Sequence, residues 1–94
     1  AVRKFTIVTT SAFLRQAKVF FRKHPELKKK FSVIVEELQK DPFLPRLQLH
    51  PLKGKLKGLY SVSITRSYRL TLTLEIREHE IILIDIGSHD EVYR

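Results

Sequence analysis

Arg3-Lys4-Phe5-Thr6-Ile7-Val8 alternates polar and apolar side chains, the period of a strand with Phe5 and Ile7 on one face. The period then changes. Thr9, Thr10 and Ser11 offer helix N-caps. Apolar residues at 13, 14, 17, 20 and 21 follow at the spacing of one helical face. Pro25 breaks that helix and suits the first turn of the next. Leu27, Phe31, Ile34, Val35 and Leu38 form a second apolar stripe, and Asp41-Pro42 ends it. Residues 42–58 show no period and hold three of the four prolines and two of the three glycines, the makings of a functional loop.

Three strand-like runs complete the pattern. Tyr60, Val62 and Ile64 alternate with Ser61, Ser63 and Thr65, and Leu70, Leu72 and Leu74 alternate with Arg69, Thr71 and Thr73. Ile81 to Ile86 is apolar except at Asp85, as in a central strand. Short turns around Arg66-Ser67 and Glu78-His79 suit hairpins. The order β-α-α-β-β-β predicts an α+β fold, a two-helix hairpin packed on a largely antiparallel four-stranded sheet. No repeat, low-complexity segment or linker interrupts it, so residues 1–94 are expected to form a single domain.

Charge adds a partner class. The formal net charge is +8. Residues 1–30 carry nine Lys/Arg against one Glu, residues 41–70 six against Asp41, and residues 71–94 six acids against Arg77 and Arg94. Such self-repulsion points to nucleic acid or an acidic protein partner; the alternative is a basic surface kept for solubility. There is no Cys, so disulfides and thiolate metal sites are excluded. No pair of histidines has the i, i+4 spacing of a helical metal site, and no metal or other cofactor is expected. No run approaches the roughly 18 apolar residues of a spanning helix, and Ala1-Val2-Arg3-Lys4-Phe5 lacks the apolar region of a signal peptide. A cytoplasmic protein without membrane contact is expected.

The candidate chemistry lies in the second half. Lys53, Lys55 and Lys57 alternate in a segment whose Gly54 and Gly58 permit positive φ and close backbone approach. Its lysines suit phosphate contacts, or equally the blunting of a sheet edge. No Gly-Lys-Ser/Thr follows a strand, so this is not a P-loop. Arg69 falls on the strand face opposite Leu70, Leu72 and Leu74, with Arg66 in the adjacent turn. A guanidinium held there suits two phosphate oxygens at once, or an exposed ion pair with Asp85. His24 reads as a cap or surface residue and His79 as a solvated turn residue. His50 precedes a Pro in the irregular loop, and His89 follows the last strand. Histidines titrate near neutral pH and so serve as acids or bases. Tyr68 and Tyr93 suit stacking on unpaired bases, or completion of the core's edge.

His50-Pro51-Leu52-Lys53-Gly54, Gly58 before a strand, Tyr68-Arg69-Leu70 and Gly87-Ser88-His89-Asp90-Glu91-Val92-Tyr93 together resemble the RelE/ParE toxin superfamily, in particular its YafQ-like branch, over essentially the whole chain. Relatives are small toxins of type II toxin–antitoxin pairs, and many are ribosome-dependent endoribonucleases that cut mRNA. The resemblance implies the fold read above, a cognate antitoxin as partner, mRNA on the ribosome as substrate, and rRNA contacts through the basic surface. It makes His50, Arg69, His89 and Tyr93 catalytic and puts Lys53 and Lys55 in the same cleft, while Arg66 and Tyr68 are expected on the substrate from their own positions. The implied chemistry needs no metal: the 2′-OH attacks the adjacent phosphate, leaving a 2′,3′-cyclic phosphate and a 5′-OH end. Two positions depart from the YafQ-like pattern: Ser63 stands where relatives carry His, and Ser67 where they carry Asp. The ParE branch shares the fold, lacks the ribonuclease site and poisons DNA gyrase, which is the alternative. A third reading is an inactive member that only binds antitoxin or RNA.

Overall fold

The computed structural model describes residues 4–88. A three-residue strand, β1 (Thr6–Val8), leads into helix α1 (Ser11–Lys23). Of the candidate caps, Thr10 is the one used. Its extended backbone turns its hydroxyl to accept the Phe13 N–H at 3.0 Å, which satisfies one of the helix's unpaired donors. His24 closes α1 as C-cap, and Pro25–Leu27 forms a separate 3-10 turn before helix α2 (Lys28–Lys40). The two apolar stripes meet through rings. Phe31 lies 6.5 Å from Phe13 and 5.1 Å from Phe21, the latter pair edge-on.

The sheet is built from β1, β2 (His50–Pro51), β3 (Tyr60–Ser63), β4 (Tyr68–Glu75) and β5 (Glu80–Ser88), in the order β1-β5-β4-β3-β2. Among the described residues only the β1–β5 pairing is parallel. The helices pack on one face of this mostly antiparallel sheet, so the α+β class and element order follow the hydrophobic pattern. The described residues form five strands where four were expected. The addition is His50–Pro51, which pairs with Ser61 and Tyr60 inside the segment that shows no period. Two residues are too few for alternation to register.

The core joins Phe13, Ala17 and Phe20 of α1 and Ile34 and Leu38 of α2 to Val62, Ile64, Leu70, Leu72, Ile81, Leu83 and Ile86. Leu83 and Ile86 are both buried although three residues apart, which strict alternation forbids. A register shift explains it. Leu72 pairs with Leu83 but Thr71 with Asp85, so Ile84 is an extra residue, a β-bulge that switches parity midway along β5.

The irregular segment is organised by local bonds. Asp41 Oδ1 accepts the Phe43 N–H at 2.9 Å, and Arg46 of the 3-10 turn Pro45–Leu47 pairs with Glu37 of α2. A second turn, Gly54–Leu56, is closed at its base by Leu52 N–H donating to Leu59 O at 2.9 Å. Gly54 and Gly58 have φ of +65° and +98°, and no atom lies within 4 Å of a Cβ built on either. Backbone conformation alone, not crowding, therefore calls for glycine here.

His79 departs from the solvated residue expected. Its ring lies 4.7 Å from that of Phe5, its Nδ1 is buried, and its φ is +52°. Its carbonyl accepts the Thr6 N–H at 2.7 Å, so the β4–β5 turn doubles as an anchor for β1.

Candidate functional site

Strand pairing sets the site. Residues directly opposite in antiparallel strands share a face. One row across the helix-free face runs His50, Ser61, Thr71, Asp85, and the next runs Ser63, Arg69, Gly87. His50 and Arg69 thus share a face. Across two strand spacings and one two-residue step, their backbones stand about 12 Å apart. Two such side chains can converge on one nucleotide.

Arg69 is half-buried between Ser63 and Gly87, and glycine leaves room beside it. Its Nε and NH1 are buried and have no hydrogen-bond partner among the described residues. The ion pair with Asp85 that the sequence allowed does not form among them. Gln16 of α1 donates to Asp85 instead. A guanidinium with unmet buried donors on this face suits contact with an oxyanion.

His50 is half-buried, and its Nδ1 lies 3.1 Å from Gln48 O. Lys53 and Lys55 are exposed on the loop that follows β2. Arg66 is exposed in the β3–β4 turn. Thr65 shapes this turn, its hydroxyl accepting the N–H groups of Ser67 and Tyr68, each at 3.2 Å. Ser63 donates its hydroxyl to Thr65 O at 2.9 Å, so it too serves the turn.

Tyr68 does not join this group. Neighbours on a strand point to opposite faces. Its ring packs on the helical side, 5.3 Å from Phe20 and 4.6 Å from His24, at the edge of the core. Of the two alternatives the sequence left for this ring, core edge is the one the geometry gives. His24 is likewise a packing residue as well as a cap. His89 and Tyr93 lie outside the described residues.

Two residues on the site face escape sequence reasoning. Ser61 and Thr71 are 0% and 2% exposed, and neither hydroxyl oxygen has a partner among the described residues. In the sequence they are only the polar half of an alternation. The β2–β3 and β3–β4 registers, which together set them in the row of His50, are the signal that marks them. Among the described residues no group of three His, Cys, Asp or Glu side chains is placed to hold a metal ion.

A family model described as a bacterial toxin of the type II toxin–antitoxin system, YafQ, matches residues 5–94. The chain belongs to the YafQ toxin family. Solved YafQ-family and related toxins share its fold. YafQ from E. coli strain BL21(DE3) superposes with a TM-score of 0.80 at 16% identity, covering 97% of this chain and 100% of that one. A metal-bound toxin from Helicobacter pylori gives 0.76 at 28% identity, with 94% and 98% covered. The E. coli DinJ-YafQ toxin-antitoxin complex gives 0.77 at 16% identity, with 97% and 99% covered. No curated protein sequence matches the chain. YafQ-family membership and the RelE/ParE-type fold thus agree with the motifs at 50–54, 68–70 and 87–93. No helix among the described residues is long and apolar enough to cross a membrane.

Proposed function

We propose that this YafQ-family protein is a ribosome-dependent mRNA endoribonuclease held in check by a cognate antitoxin. The observation that carries the reading is Arg69, whose buried Nε and NH1 lack a partner on the helix-free face. Leaving a charged donor unpaired costs stability, about 1–3 kcal/mol or more. Such a cost is tolerated where a ligand supplies the missing acceptor.

In the proposed reaction, Arg69 holds the scissile phosphate and stabilises its developing charge, with Lys53, Lys55 and Arg66 adding positive potential. One group takes the 2′-OH proton while the 2′-oxygen attacks phosphorus. Another protonates the leaving 5′-oxygen. His50 and His89 divide these roles, and Tyr93 positions the base. No metal is required. Tyr68 packs with Phe20 and His24 on the opposite face and takes no part in the proposed chemistry.

The antitoxin is supported by the DinJ-YafQ complex and by the YoeB-YefM complex from Staphylococcus aureus, whose toxins share this fold. The net charge of +8 suits both an acidic partner and rRNA. A gyrase-inhibiting toxin is the second reading. It is favoured by the thin acid–base complement: Ser63 is tied to its own turn, and Ser67 is no proton-transfer group. Induction in bacteria, with mRNA cleavage mapped and gyrase assayed in parallel, separates the two. Co-expression of the antitoxin restores growth under either reading, whereas cleavage without gyrase inhibition supports only the first.

A further inference from the structure

Three polar side chains without partners stand together on the helix-free face. Arg69 and Thr71 are two residues apart on β4, so they share a face with backbones about 6.6 Å apart. Ser61 of β3 pairs directly with Thr71. Both hydroxyl oxygens are buried, as are Nε and NH1 of Arg69, and none of these atoms has a hydrogen-bond partner among the described residues. Burying a polar group unpaired opposes folding, and a charged group most of all. Valine matches the shape of Thr71 and alanine nearly that of Ser61, so packing alone does not call for the hydroxyls.

Burial also bears on how a ligand arrives. A phosphate oxygen cannot touch Nε or NH1 while both are covered. The guanidinium has to leave this pose first, and the long arginine stem lets its head reach water. We infer that the free protein holds Arg69 stowed against the sheet, and that Ser61 and Thr71 are positioning residues whose unpaired hydroxyls keep the stowed pose unfavourable and so ready the guanidinium for an RNA phosphate. When Arg69 lifts, its donors meet the phosphate and water reaches the two hydroxyls. All three groups are then satisfied. Neither hydroxyl touches the substrate. The ribonuclease reading supplies the identity of the anion, and on it this inference rests.

Stowed and released arginine form a two-state equilibrium, and apparent affinity for the phosphate falls with the released fraction. Thr71→Val removes an unpaired hydroxyl from the stowed pose and therefore opposes release. Ser61→Ala acts in the same way. Stability and binding should thus move in opposite directions, which a merely structural role would not produce.

The probe is a short 2′-O-methyl oligoribonucleotide, which presents RNA phosphates but has no free 2′-OH to attack them. In 15N-arginine-labelled wild type without RNA, the Arg69 Nε–H should exchange slowly with water, and adding the oligonucleotide should move its signal. Thr71→Val should raise the urea midpoint yet weaken oligonucleotide binding by about five- to thirtyfold. Thr71→Ser keeps the hydroxyl and should bind as the wild type does, although it loses a methyl group. Rapid exchange of Arg69 Nε–H in the free protein overturns the inference, as does a signal that the oligonucleotide leaves in place. So does a Thr71→Val protein that fails to fold, unfolds at lower urea or binds as tightly as the wild type. The predicted binding pattern without mRNA cleavage on programmed ribosomes removes the ribonuclease reading and leaves the stowed arginine standing.

Discussion

At Arg69 strand parity and burial act together. Flanked by Tyr68 and Leu70 on the core side, its side chain has only the helix-free face to occupy, yet that face buries Nε and NH1 without a partner among the described residues. Function and stability should therefore oppose each other at this position. Arg69→Met, similar in length and apolar, is expected to match the wild type in urea unfolding or exceed it by up to about 1–3 kcal/mol. The same change should lower mRNA cleavage by about 10²-fold or more. His24→Ala should do the reverse. It removes a ring packed on Phe20 and Tyr68, at a cost of about 1 kcal/mol in the same titration, and leaves cleavage near the wild-type rate because it lies on the other face. Arg69 was legible in the sequence because alternation fixes its face. Tyr68 illustrates the limit. The motif Tyr68-Arg69-Leu70 groups by adjacency two side chains that the pleat sends to opposite faces. Ser61 and Thr71 were invisible for another reason: burial and register are tertiary facts with no signature in residue type.

Among the elements, both helices were plain from their stripes, and Thr10 was one of three caps on offer. Thr10→Ala should cost about 1 kcal/mol of stability, seen as a lower urea midpoint with unchanged slope. The last strand was recognised by its apolar run, but its bulge was not, since an uninterrupted run hides a change of parity. Ile84 is what lets Leu83 and Ile86 both reach the core. Deleting it forces one of the two out, a loss comparable to truncating a buried leucine, about 2–5 kcal/mol. The deletion variant should show poorly dispersed amide resonances, whereas Ile84→Val should fold normally. The strand β2 is too short for any periodicity, yet it carries His50 into register with Ser61. The site's least legible element is thus the one that places His50, one of its two proposed acid–base groups.

Over the whole molecule the cations are not confined to the sheet face. Lys18, Phe21, Arg22 and Lys28 line a groove of about 330 Å³ on the helical side. Among the described residues no acidic side chain lines it, and Phe21 gives it an apolar floor. An acidic amphipathic segment of the proposed antitoxin fits these features. Lys18→Glu combined with Arg22→Glu should slow antitoxin association about tenfold or more at low salt and flatten its salt dependence, measured by binding kinetics at two ionic strengths. Equal rates for variant and wild type would move the antitoxin contact elsewhere.

Single-round cleavage of mRNA on programmed ribosomes, with chemical analysis of the new ends, bears most directly on the proposed ribonuclease site. Wild-type protein is predicted to leave 2′,3′-cyclic phosphate and 5′-OH ends. Arg69→Ala and His89→Ala should each reduce the rate by roughly 10²–10⁴-fold. His50→Ala should weaken it as well, and Arg69→Lys should recover it only in part because the planar fork is gone. Full activity in both Arg69→Ala and His89→Ala would contradict the site. An absence of wild-type cleavage alongside inhibition of gyrase would contradict the ribonuclease itself.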